Sequence, residues 1–117
     1  MNIPGLFVPT AFEATTLALI RKHESGGSYN ILCGGKLFQD YSTFPIWNGF
    51  RGSHAAGAYQ FQPSTWAWVA EMNNLPDFSP IAQDIGALWL LRKFGPNSSA
   101  TWQASGPYPW PNPAIGG

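Results

Sequence analysis

The run Ser79 to Pro96, SPIAQDIGALWLLRKFGP, constrains the fold more than any other stretch. Ser79 can cap a helix whose first turn accepts Pro80, and Gly95-Pro96 stops it. Between these signals Ile81, Ile85, Leu88, Trp89, Leu91 and Phe94 cover most of the helix circumference. A helix that is apolar nearly all round has to be buried, so the rest of the chain must wrap it. With 117 residues there is material for one core and too little for two. Cys33 is the sole cysteine, so no internal disulfide and no cysteine cluster for zinc can support that core. Packing must do so.

The other elements follow from local signals. Thr10-Ala11-Phe12-Glu13 reads as a capping box, with Thr10 capping and Glu13 reaching back, and it predicts a helix from Ala11 to His23. Ser25-Gly26-Gly27 ends that helix, which leaves Glu24 in or just after its last turn. YNILCGGKLFQDY reads as a small β-hairpin, Tyr29–Cys33 and Lys36–Tyr41, joined by a two-residue Gly34-Gly35 turn. Residues 42–58 carry no periodicity and read as a long loop, and long loops in compact domains tend to be functional. QPSTWAWVAEMNN gives a second helix from Pro63 to about Asn73. From Asn97 onward the chain is rich in Pro, Gly and Ser and predicts an irregular, partly extended tail over the surface. The expected class is α+β, mostly helical, with a small hairpin and a buried central helix. The expected organisation is a domain over residues 1–96 and a segment, 97–117, that packs on it or extends from it.

Six Lys+Arg balance six Asp+Glu, so no long-range field steers nucleic acid, an anionic membrane or an acidic polymer. Recognition should rest on shape and local contacts. Six Trp and 15% aromatic content exceed what the core needs and leave rings free for flat ligands or sugar faces. The N-terminal residues lack a cationic start and a signal-length apolar run, and nothing spans a membrane. Synthesis in the cytoplasm without a signal peptide is therefore expected.

Glu24, in HESGGSYN, holds the chemistry. A carboxylate at a helix C-terminus faces the negative end of the macrodipole, and shielding by aromatic side chains adds to that; both effects favour the protonated acid. A raised-pKa Glu is what glycosidic cleavage needs, because the leaving oxygen must receive a proton. On position alone, Glu24 reads equally as a solvated surface residue.

Three blocks, GGKLFQDYSTFP, SHAAGAYQF and LPDFSPIAQDIGAL, resemble in order and approximate spacing the lambda-type phage lysozymes, lytic transglycosylases of the lysozyme-like superfamily. The resemblance implies a lysozyme-like fold, cleavage of the MurNAc-GlcNAc bond of peptidoglycan, and 1,6-anhydromuramic ends. It places the catalytic Glu at Glu24, and Glu24-Ser25 and GAYQF resemble the wider lytic transglycosylase pattern, which puts Tyr59 and Gln60 at the sugar pocket. Glu24 would protonate the glycosidic oxygen and then, as carboxylate, take the proton of the sugar's own 6-hydroxyl. An internal nucleophile needs no activated water, so one carboxylate suffices. No cofactor and no metal are implied. The expected partners are peptidoglycan glycan strands, with release through a holin or a phage particle, action at the cell wall, and a monomeric state.

The candidate substrate contacts are Ser25, Tyr41, Trp47, Tyr59, Gln60, Trp102 and Tyr108. Phe44, Phe50, Arg51 and His54 are drawn with Trp47 toward a groove, or Trp47 and Phe50 anchor the loop to the core. Trp66, Trp68 and Trp89 read as core. Asp40 and Asp77 read as turn formers and Asp84 as a first-turn helix acid. A nucleophilic scheme from His23 or His54 with Ser25 or Cys33 lacks an orienting third group. Cys33 reads as a buried small hydrophobe. Between Leu91 and Trp102 the chain is shorter than the resembling family. Two further readings therefore stand beside the transglycosylase: a peptidoglycan-binding or phage structural protein with weak or no turnover, and a hydrolytic muramidase.

Overall fold

The computed structural model describes residues 8–97, 102 and 104–110. They contain three helices, α1 (Ala11–Ser25), α2 (Pro63–Asn73) and α3 (Pro80–Phe94). The capping box of α1 is complete: the Thr10 hydroxyl accepts the Glu13 N–H at 3.1 Å, and the Glu13 carboxylate accepts the Thr10 N–H at 2.8 Å. The helix runs two residues past the predicted His23 and closes on Gly26, whose φ of 70° is the left-handed geometry glycine adopts without strain. Glu24 thus lies inside the last turn.

Both other helices pack on α3, which is the buried central helix. Its capping follows the sequence, with the Ser79 hydroxyl accepting the Ala82 N–H at 3.3 Å. At Gly86 an added Cβ would stand 2.8 Å from Val69 and 3.0 Å from Trp66, so the closeness of α2 depends on the missing side chain. Two residues expected in the core are not there: Ile81 is 67% and Phe94 40% exposed. Apolar periodicity counts every hydrophobic residue as core, but only the faces that meet α1, α2 and the loops are covered. Trp66 is buried as predicted, whereas Trp68 is exposed and stacks edge-on against Trp89 at 5.0 Å.

Gln83, a polar residue in this apolar run, is fully buried. It ties three segments together, accepting the Ala58 N–H at 2.8 Å and donating to the carbonyls of Phe78 at 2.8 Å and Tyr29 at 3.2 Å. Asp84 is not a first-turn acid but a hub for the hydroxyls of Tyr59 at 2.6 Å and Tyr29 at 2.8 Å, with Arg21 at 3.9 Å.

The hairpin pairing exists as isolated bridges, in a register one residue from that expected. Ile31 pairs with Leu37, and the Leu32 N–H bonds the Lys36 carbonyl at 2.7 Å, which makes Cys33-Gly34-Gly35 a three-residue loop. The end of the long loop returns to this pair: Ala56 bridges both Leu32 and Phe61, and the Cys33 N–H bonds the Ala55 carbonyl at 2.9 Å. Another tight turn inside that loop, Arg51-Gly52, has φ of 51° and 83°, and Phe50 and Ser53 exchange backbone hydrogen bonds across it.

The described C-terminal residues are irregular, but they do not merely cover the surface. Trp102 and Tyr108 are 0% and 4% exposed and belong to the core. The Trp102 indole donates to the Tyr59 carbonyl at 3.1 Å. Asn97, just beyond α3, holds the Tyr108 backbone at both ends, donating to its carbonyl at 2.8 Å and accepting its N–H at 2.6 Å. Among the described residues no helix is long and apolar enough to cross a membrane.

Candidate active site

Glu24 is half-buried and forms one wall of a cleft of about 290 Å³, opposite Cys33, Ser53, Ala55, Gln60, Gln62 and Thr65. The end of α1 brings the carboxyl, the hairpin loop brings Cys33, the returning loop brings Ser53 to Gln60, and the first turn of α2 brings Thr65. Burial pushes the Glu24 pKa above the ordinary carboxylate value, opposed by a hydrogen bond from Ser105 and by the charge of His23. No other carboxylate is among the residues lining this cleft.

Gln60 has φ of 51°, an uncommon conformation for a residue with a side chain. Its own amide holds it there by donating to the carbonyls of Gly57 at 2.9 Å and Ile31 at 3.4 Å. Both Nε2 protons are thereby used. Gln62 donates to the Ser53 hydroxyl at 2.9 Å, which fixes a polar floor beside it.

Cys33, expected as a buried hydrophobe, is half-buried and lines both this cleft and a neighbouring groove of about 530 Å³ with Ile46, Trp47, Asn48 and Phe50. Trp47 is held in place by its indole, which donates to the His54 carbonyl at 3.3 Å, and by the His54 ring at 6.0 Å. Ile46 is 98% exposed at the rim. Phe44 turns inward to Phe78, with ring centroids 4.9 Å apart, and does not line the groove.

Of the predicted site residues, the structure brings Glu24 and Gln60 to one cleft and Trp47 to the groove beside it. The others sit elsewhere. Tyr59 is wholly buried, its hydroxyl committed to Asp84 and Arg21, and burial drives its pKa far above the ordinary phenol value. Trp102 is equally enclosed. Neither presents a face to a ligand, because in each case packing against the core consumes the ring. Tyr41 packs edge-on against Phe38 at 5.4 Å and is not in the cleft. The Ser25 hydroxyl is spent on the helix end, donating to the Arg21 carbonyl at 3.0 Å and accepting the Gly27 N–H at 3.1 Å. Tyr108 is buried, with its hydroxyl 2.7 Å from that of Ser105. Asp40 and Asp77 form turns, accepting the N–H of Ser42 and Ser79. Ser105, which touches Glu24, was not among the sequence candidates. Among the described residues no three His, Cys, Asp or Glu side chains gather where they could hold a metal ion.

A family model described as Endolysin matches residues 10–101. The chain belongs to the endolysin family. Within it, the endolysin of Escherichia phage lambda is 34% identical over 79 residues, which are 64% of this chain and 50% of that protein. The chain thus spans about half the length of that relative. The solved lysozyme from bacteriophage lambda superposes on this family member with a TM-score of 0.65 at 26% identity, covering 75% of this chain and 66% of the other. Bacteriophage lambda lysozyme complexed with a chitohexasaccharide gives a TM-score of 0.60 at 29% identity, covering 68% and 60%. The fold is lysozyme-like and mostly helical, as the three sequence blocks imply.

Proposed function

We propose that this chain cleaves the glycan strands of peptidoglycan as a lytic transglycosylase, with Glu24 as both acid and base. The observation that carries the reading is a half-buried carboxyl with a raised pKa on the wall of a cleft that no second carboxylate lines. A hydrolase of the two-carboxylate kind needs a partner about 5 to 9.5 Å away to activate water or attack the sugar. Here the nucleophile is the muramic 6-hydroxyl. Glu24 gives its proton to the glycosidic oxygen as that bond breaks, O6 bonds to the anomeric carbon, and the Glu24 carboxylate takes the O6 proton. Electrons and protons balance, and the acid is regenerated.

Gln60 and Gln62 offer polar contacts beside Glu24, and the Trp47 ring next to it suits stacking against a sugar face. A glycan longer than one sugar can run from the cleft past Cys33 into the groove. The complex of the lambda lysozyme with a chitohexasaccharide supports a glycan as ligand. Residues 1–96 serve as the catalytic domain and 97–117 as a segment docked on it, a reading supported by the burial of Trp102 and Tyr108. That docking also supports an active enzyme over a purely structural protein, since it covers the core where the chain is short. Action at the cell wall, reached through a holin or from a phage particle, and a monomeric state complete the proposal.

The test is mass spectrometry of soluble fragments released from purified peptidoglycan by the wild type and by Glu24→Gln. Anhydromuramic ends that vanish in the variant are expected. Reducing muramic ends would replace the transglycosylase with a hydrolase, and full activity in Glu24→Gln would remove Glu24 from the mechanism.

A further inference from the structure

We propose that Ser105, backed by Tyr108, is a positioning residue for Glu24, and that its hydroxyl reverses its hydrogen bond with the charge of that carboxyl. The inference rests on Glu24 being the acid and base.

The argument is a proton inventory. Ser105 Oγ carries one hydrogen and has three polar neighbours: the Glu24 carboxyl, the Trp102 carbonyl at 3.0 Å and the Tyr108 hydroxyl at 2.7 Å. When Glu24 is protonated, its O–H donates to Ser105 Oγ, Tyr108 donates to the other lone pair, and the Ser105 hydrogen goes to the Trp102 carbonyl. When Glu24 is ionised, Ser105 turns its hydrogen to the carboxylate and still accepts from Tyr108. The Trp102 carbonyl is not orphaned, because the Ser105 backbone N–H donates to it at 3.1 Å in either state. Only one hydrogen moves.

The same oxygen therefore holds the carboxyl before and after proton transfer, which suits a group that must first give a proton and then take one. Tyr108 is itself fixed, its backbone clamped by Asn97 and its ring stacked on His23 at 5.5 Å. His23 Nδ1 stands 3.3 Å from the Tyr108 hydroxyl, so with a proton on Nδ1 every donor in the chain His23, Tyr108, Ser105 points toward Glu24. The titratable groups facing the carboxyl are His23 on its own helix, Tyr108 on the C-terminal segment and Cys33 across the cleft; Ser53, Gln60, Gln62 and Thr65 are neutral.

The experiment is a carbon NMR titration of the Glu24 carboxyl in the full chain, alongside the pH profile of peptidoglycan release, for wild type, Ser105→Ala, Ser105→Thr and Tyr108→Phe. Ser105→Ala removes the donor to the ionised form and should raise the Glu24 pKa by about one unit. The acidic limb of the profile should move with it, and kcat should fall at least tenfold, on the order of a lost positioning contact. Ser105→Thr, which keeps the hydroxyl, should restore both. Tyr108→Phe should move the pKa in the same direction by less, and it carries the test if Ser105→Ala does not fold. An unchanged Glu24 titration in Ser105→Ala, or in Tyr108→Phe when that variant alone folds, would overturn the proposal. Because the titration needs no turnover, an inactive wild type would refute the enzymatic reading and leave the hydrogen-bond switch separately measurable.

Discussion

Replacing Gln83 by Leu should destabilise this protein severely, although the change looks like an improvement in an apolar helix. The two side chains are close in size, so no cavity opens and the cost is electrostatic. Gln83 is fully buried and makes hydrogen bonds to Ala58 N–H and to the carbonyls of Phe78 and Tyr29. Leaving one buried donor or acceptor unmade costs about 1 to 3 kcal/mol. Three losses, discounted for relaxation and for the apolar atoms gained, come to about 3 kcal/mol. For a chain of this length about 4 °C of Tm corresponds to each kcal/mol, so thermal unfolding followed by circular dichroism should show a fall of about 12 °C. Gln83→Glu keeps the acceptor for Ala58, loses the donors to both carbonyls and adds a buried charge, and so should be worse than Leu at neutral pH. A Tm for Gln83→Leu within 4 °C of wild type would refute the account of Gln83 as the tie between α3, the hairpin and the cleft loop.

Gly57→Ala should also unfold the cleft loop: its φ is 87° and a Cβ would stand 2.7 Å from the Phe78 ring. The strain and the overlap each cost about 1 to 3 kcal/mol, and a chemical melt should show a loss of about 3 kcal/mol; a neutral result would mean that the Gly57–Gln60 turn is not fixed by Gln83 and Phe78. Glu13→Ala removes both the capping-box acceptor and the partner of Arg92, whose guanidinium bonds its carboxylate at 2.8 and 2.9 Å. Loss of the cap and of a partly exposed ion pair should together cost about 1 to 2 kcal/mol. The Arg92 hydrogen bond lowers the Glu13 pKa, so this stability is present above the ordinary carboxylate pKa and fades as pH falls through the lowered folded value. Wild type and variant melts should therefore converge in acid, and a constant gap down to low pH would assign the effect to helix propensity instead.

The helices were legible because their signals are local. Thr10 with Glu13, Pro63, and Ser79-Pro80 with Gly95 each act on backbone groups within a turn of themselves, and each element starts where they say. The hairpin register was missed by one residue because Leu32 pairs on one side with Lys36 and on the other with Ala56, and the second pairing has no signature near Gly34-Gly35. Glu24 was found from its place at a helix end before glycines. Tyr59, Trp102 and Tyr108 were read as substrate contacts because an aromatic ring has the same composition whether it faces a sugar or a core.

What the sequence by itself determined is therefore the set of helices, the family and the candidate acid, all carried by residues that act on near neighbours or by ordered blocks. The tertiary structure alone decided which rings are buried, which carboxylate lies in a cleft free of others, and that Ser105 meets Glu24. Those facts depend on contacts between residues far apart in the chain, Glu24 with Ser105 and Gln83 with Tyr29 and Ala58, and the geometry that makes them exists only once the chain has closed around α3.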